Sequence, residues 1–269
     1  MRIEDYFRIS PELNAKLSTS PRQLKVLVVG VVLGDRINHY RHISTRLNQS
    51  KIHKVQQTWA VIKSNRPIKA SKNVKLIEVT EFVPRSLLIN RLLKESKHTE
   101  FDLVILVDDD IRLPKGFLDQ YIEAQLSFDF SIAQPARTPN SVISHDITRQ
   151  RAGLLARQTQ FVEIGPLVSF RKDAYDHVLP LDEDSPMGWG LDFVWPVIMR
   201  NNEKKMGIID FAAVAHTLRP TAGSYDNDRA KSDMERYLES RPHLNTSEAF
   251  QVVAEFTEKD IINPVVKNI

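Results

Sequence analysis

The chain has 269 residues, 42% of them apolar, and 37 Lys plus Arg against 34 Asp plus Glu, which excludes a disordered, collagen-like or charge-dominated protein. A chain of this length should bury roughly 70–75% of its unfolded surface, so one domain spanning 1–269 is expected, with a core over about 25–225 and a helical tail over 224–269. The absence of cysteine excludes disulfide frameworks and thiolate chemistry and points to the cytoplasm, while the net charge of +3 does not demand nucleic acid and leaves open peripheral contact with an anionic membrane surface.

The charged N-terminus, MRIEDYFRISPELNAKL, lacks the apolar stretch of a signal peptide, and export by that route is not expected. The longest apolar run, Val26 to Leu33, is far short of the ~20 residues that cross a bilayer as a helix. KVLVVGVVLG (25–34) reads as a strand buried on both faces, because its β-branched residues run without alternation. A helix is predicted over Asp35 to Gln49, then strands over 53–63 and 73–79. RSLLINRLLKES (85–96) has helical spacing, and the apolar strand FDLVILV (101–107) ends in three aspartates. This alternation predicts an α/β fold, a mostly parallel sheet flanked by helices with right-handed crossovers.

Beyond Asp110 the pattern predicts a helix with Pro114 near its first turn and a short strand over Ser131 to Gln134. About 26 polar, Arg-rich residues follow. Strands are expected at Phe161 to Phe170 and at Gly207 to Ala215, the latter delivering His216, and the tail from Ser224 reads as two amphipathic helices. Those helices could serve a dimer, a membrane surface or an acceptor. No internal repeat is visible.

Asp108, Asp109 and Asp110 close a buried strand, and in open α/β sheets ligands bind outside the carboxyl ends of strands. Alternation would point Asp108 and Asp110 to one side and Asp109 to the other. Such a cluster repels itself unless a cation or hydrogen-bond donors neutralise it, and a hard divalent ion prefers these oxygens. Turn formation and capping of the next helix are the alternative use of the same aspartates. A second acidic stretch, LDEDSPMGWGLDFVW (181–195), lies downstream.

FDLVILVDDDIRLPKGFL, GPLVSFRKDAYDHVLPLDED (165–184) and GWGLD (188–192) resemble, in order, the DxD strand, the acceptor-side segment and the second acidic motif of glycosyltransferases of the GT-A fold. SIAQPA (131–136), GWGLDF (188–193), GIIDFAAVAH (207–216) and PTAG (220–223) resemble more closely the uncharacterised family catalogued as domain of unknown function 707. The resemblance implies a metal-dependent enzyme moving a sugar from a nucleoside-diphosphate donor to an acceptor hydroxyl, with Mn2+ or Mg2+ and a glycan acceptor. It implies Asp110 as leading metal ligand, Asp108 as ligand or nucleotide contact, and His216 as a further ligand. Asp109 is assigned to the donor site without a defined role.

By the same resemblance Asp192 is the general base of an inverting reaction, although Pro196 suggests that it could also cap the following helix. Leu191 replaces the acidic residue that commonly precedes this aspartate. Trp189, between two glycines, is placed to stack on an acceptor sugar or to fill the core. Glu163 is expected to bond sugar hydroxyls, and Asp35 and Arg36 to lie near the nucleotide base. Arg219, with Thr221 and Gly223, sits in a segment that could bring a cation to the diphosphate. A nucleotidyltransferase and a non-catalytic sugar-binding module are the alternatives; VVGVVLGDR has too few glycines and no nearby lysine for the triphosphate loop of the former. No RNA-binding motif is present.

Overall fold

The computed structural model describes residues 22–64, 67–219 and 226–262. The reading of the N-terminal segment therefore lies outside the described residues, as do Thr221 and Gly223. In chain order the elements are β1 (Lys25–Leu33), α1 (Tyr40–Asn48), β2 (Lys54–Ile62), β3 (Val74–Val79), α2 (Arg85–Glu95), β4 (Leu103–Asp108), β5 (Ile111–Arg112), α3 (Phe117–Ser127) and β6 (Phe130–Arg137). There follow β7 (Ala156–Thr159), β8 (Leu167–Arg171), α4 (Tyr175–Val178), α5 (Leu191–Asn201), β9 (Lys205–His216), α6 (Asn227–Glu239), α7 (Thr246–Ala249), β10 (Val252–Phe256) and α8 (Glu258–Ile262).

The sheet runs β10-β7-β9-β6-β8-β4-β1-β2-β3, with β5 paired to the end of β9. β1, β2, β3 and β4 are parallel, β8 is antiparallel to both β4 and β6, and β6 is parallel to β9. This is the mixed, mostly parallel α/β sheet expected from the sequence. β1 shows why its apolar run does not alternate. Val26 and Val28 pack into a core shared with Ile43 and Leu47 of α1 and Phe117 and Tyr121 of α3. Leu27 and Val29 face the opposite core, with Leu88 and Leu92 of α2 and Trp195 of α5. Each such side chain contributes roughly 1.5–3 kcal/mol when taken fully out of water.

Four sequence expectations are corrected. The helix predicted from Asp35 starts at Tyr40, because the Asn38 side chain donates to the carbonyls of Leu33 and Arg36 and holds residues 33–38 as a turn. The helix after the aspartates starts at Phe117 rather than beside Pro114, with Gly116 in the left-handed conformation before it. The strand expected from Phe161 starts at Leu167, beyond Gly165-Pro166. The tail holds one long helix, α6, and then the strand β10, whose Phe256 packs on Phe128.

The Arg-rich stretch conceals β7. Arg157 is fully buried and clamps Asp210 of β9, with Nε 2.9 Å from Oδ2 and Nη2 3.0 Å from Oδ1. Its remaining N–H groups donate to the carbonyls of Ile147 and Arg149. Among the described residues no helix is long and apolar enough to cross a membrane.

Two substitutions test this frame. A Cβ at Gly30 would lie 2.4 Å from the Trp59 ring, so Gly30→Ala is expected to cost roughly 1–3 kcal/mol in urea unfolding. Asp210→Ala strands the buried Arg157 charge and is expected to cost roughly 3–5 kcal/mol in the same assay.

Candidate active site

The sheet topology brings distant segments to one edge. The carboxyl ends of β1, β2, β3, β4, β6 and β9 point the same way, and antiparallel β8 begins there. Of the residues singled out in the sequence, the ten that are described line a single cleft of about 830 Å³ at this edge: Asp35, Arg36, Asp108, Asp109, Asp110, Glu163, Trp189, Asp192, His216 and Arg219. The two-residue strand β5 is the device that unites the acidic triplet with His216. Ile111 pairs with His216, so Asp110 is delivered beside the imidazole.

The alternation expected of the three aspartates stops at Asp108, where β4 ends and a turn into β5 begins. Each carboxylate consequently meets different partners. Asp108 accepts a hydrogen bond from Arg85 Nη2 at 3.0 Å, and Gly165 lies so close that a Cβ there would be 2.8 Å from Asp108 Oδ2. Asp109 is buried, accepts from the Leu33 N–H at 2.8 Å and is ion-paired with Arg219. Burial pushes its carboxyl up to about 6 against the pull of Arg219 and the Leu33 amide. Asp110 Oδ2 lies 3.2 Å from His216 Nε2 and 3.2 Å from Arg219 Nη2. Burial would raise its carboxyl, but the hydrogen bond from His216 and the charge of Arg219 hold it below the ordinary value.

Asp108, Asp110 and His216, as arranged, do not fit a divalent ion. Arg137 Nη1 lies 3.0 Å from His216 Nδ1. Arginine can only donate, so Nδ1 is the acceptor and the hydrogen of the neutral ring sits on Nε2, facing Asp110, with no lone pair left for a metal. Asp108 is engaged by Arg85. Asp110 Oδ1, buried without a partner, is the one favourable feature. A hard cation needs several oxygen ligands, and the side chains as arranged in the ligand-free protein supply too few of them. Among the described residues no group of three or more His, Asp or Glu side chains could hold a metal ion. The self-repulsion that led from the aspartates to a metal is relieved in this structure by guanidinium groups.

Across the cleft, Asp192 is the second residue of α5, and the cap position belongs to Gly190, so the capping role considered from the sequence is not the one found. Pro196 is the sixth helical residue rather than part of the first turn. Asp192 Oδ1 is buried without a hydrogen-bond partner. Burial, and secondarily the negative charge of Glu163, push its carboxyl up to about 7. Glu163 is itself ion-paired with Arg137 and has Oε1 3.8 Å from His145 Nε2. It is therefore committed to protein partners rather than open to sugar hydroxyls. Trp189 is half-buried on the cleft wall, not in the core. Gly188 and Gly190 on either side have φ of 86° and 91°, a backbone that L side chains adopt only under strain.

Arg85, Arg137 and His145 were not singled out in the sequence. Arg137 carried a signal, an arginine closing the strand SIAQPAR whose residues are otherwise buried and mostly apolar. Arg85 reads only as the first residue of an amphipathic helix.

No protein-family model matches the chain, so the closer resemblance to domain of unknown function 707 has no family match behind it, and no curated protein matches it. Solved structures do. "GalNAc-T7 with UDP, GalNAc and Mn2+" aligns over 84% of this chain with a TM-score of 0.53 and 10% identity. The S. aureus protein TarS, residues 1–349 "in complex with UDP-GlcNAc", aligns over 79% with a TM-score of 0.53 and 12% identity. The matched regions span 57% and 65% of those chains. At these identities the likeness is one of fold alone, the mixed α/β architecture known as GT-A.

Proposed function

We propose that the protein is a glycosyltransferase that moves a sugar from a nucleoside-diphosphate donor to an acceptor hydroxyl with inversion, the acceptor being a glycan. The reading is carried by one observation. A buried carboxylate with an unpartnered oxygen, Asp192, shares a cleft of about 830 Å³ with the acidic triplet and its arginines. That size is within the range of about 300–1,000 Å³ common to small-molecule sites. The GT-A architecture, and the UDP or UDP-GlcNAc in the two structural neighbours, support it.

In this reading Asp192 Oδ1 takes the proton of the acceptor hydroxyl as its oxygen forms a bond to the anomeric carbon. The bond from that carbon to the diphosphate breaks on the opposite face, and the diphosphate leaves with the electron pair. Developing charge on the leaving group is what fixed cations stabilise. Glu163 keeps Asp192 basic by its charge, Trp189 offers a ring face to the acceptor sugar, and Asp35 and Arg36 flank the nucleoside half. Manganese or magnesium belongs to this reading through the chemistry of the donor, not through a cage in the ligand-free protein.

A panel of nucleotide sugars, each tested in manganese and in chelator, is expected to raise the melting temperature with at least one donor, since a ligand bound only by the folded state stabilises it. Slow hydrolysis of that donor to free sugar and nucleoside diphosphate would separate an enzyme from a binding module. No stabilisation by any member would end this reading. Asp192→Asn is expected to bind donor normally while turnover falls by about 10²–10⁴, the usual worth of a general base. Because the base acts deprotonated and its carboxyl is raised to about 7, kcat/KM should climb as pH rises through about 7; a flat profile from pH 5 to 8 would remove Asp192 from the role.

A further inference from the structure

The side of the cleft that holds Asp192 is walled by apolar side chains. Met187 and Trp189 precede α5, Ile164 comes from the segment before β8, and Met234 reaches across from α6; all four are half-buried and line the cleft. Two glycines let them close into one surface. A Cβ on Gly188 would stand 2.6 Å from Ile164 Cδ1, and one on Gly190 would stand 3.2 Å from Met234 Cγ, so the backbone on either side of Trp189 touches both neighbours. The wall begins beside Asp192, two residues past Gly190. Toward its other end the Pro186 carbonyl accepts from the Ser86 N–H at 2.8 Å, which seats Met187 next to the segment entering α2. There Phe82 lines the cleft while 77% exposed. Glu163, whose charge reaches Asp192, is spent on Arg137, and Ser185 Oγ donates to the Trp189 carbonyl at 2.8 Å.

We infer that the acceptor glycan is carried on an aliphatic chain: its sugar meets Trp189 with a hydroxyl at Asp192, and the chain lies along Ile164, Met187 and Met234 and leaves the cleft past Phe82. Sugar hydroxyls laid on those three side chains would give up water without gaining partners from them, which costs free energy. An alkyl chain gives up nothing polar and gains the hydrophobic term. Methionine is unbranched and adaptable, which suits a chain of no fixed shape. The surface that takes the chain is continuous with the one that holds the reacting hydroxyl, so a single acceptor can occupy both. The inference rests on the glycosyltransferase reading for the role of Asp192 and names the class of its acceptor.

The chain has three tryptophans, and Trp59 and Trp195 are buried in the two cores, so Trp189 is the one whose emission a ligand in the cleft would change. The test titrates the full chain with methyl and n-octyl β-glycosides of glucose, galactose and N-acetylglucosamine, all below the micelle threshold. At least one octyl glycoside is expected to bind at least about tenfold more tightly than its methyl counterpart, since every buried CH2 adds to the hydrophobic term. Replacing Met187→Gln and Met234→Gln together should remove that advantage, whereas Met187→Leu with Met234→Leu, which keeps the wall apolar, should retain it; melting curves establish that each variant is folded. Equal affinity for octyl and methyl forms of all three sugars, no binding by any octyl glycoside, or an octyl advantage that survives the two glutamines would overturn the inference. None of these results touches the transferase reading, which fails instead if no nucleotide sugar stabilises the protein.

Discussion

Carboxylates crowded at one edge of a sheet cannot all stay ionised unless positive charge is brought to them, and this constraint organises the cleft. Asp108, Asp109, Asp110 and Glu163 are met by Arg85 from α2, Arg219 from beyond β9 and Arg137 from β6. The strand order is what makes those deliveries feasible. β6 and β9 end at the same edge as β4, and β5 locks the triplet to the end of β9. Buried ion pairs gain little net stability over apolar packing, but removing one partner is costly. The three arginines are therefore tied to the presence of the acids, whatever each acid does in turnover.

Asp192 illustrates the opposite solution. Among the described residues no cation pairs with it, and burial, with the negative charge of Glu163, raises its carboxyl to about 7. Two acids in one cleft thus have different surroundings: Glu163 is ion-paired with Arg137, and Asp192 is buried with an unpartnered oxygen. Environments that separate two carboxyl groups in this way are a recurrent feature of acid–base sites.

Much of this was visible in the linear chain. The uninterrupted apolar runs of β1 and β4 announced buried strands, and the position of the aspartates at the end of one of them marked the edge that carries the cleft. What the chain hid was pairing at a distance. Arg85 and Arg219 lie 23 and 110 residues from the aspartates they meet, and no local pattern links them. β5 is two residues long and has no periodicity to read. β7 looked like a polar loop because its arginine is neutralised by Asp210, 53 positions away. The tail strand VVAEF lies on the sheet margin and is only partly buried, so its signal was weak enough to pass for one side of a helix.

β10 forms the outermost rung of the sheet beside β7, with Phe256 packed on Phe128 and Phe130. A version of the protein cut before Val252 would lose that rung and leave the backbone amides and carbonyls of β7 facing solvent. Exposed rungs of this kind recruit strands from other molecules. Colloidal behaviour should therefore be sensitive to the loss of this strand.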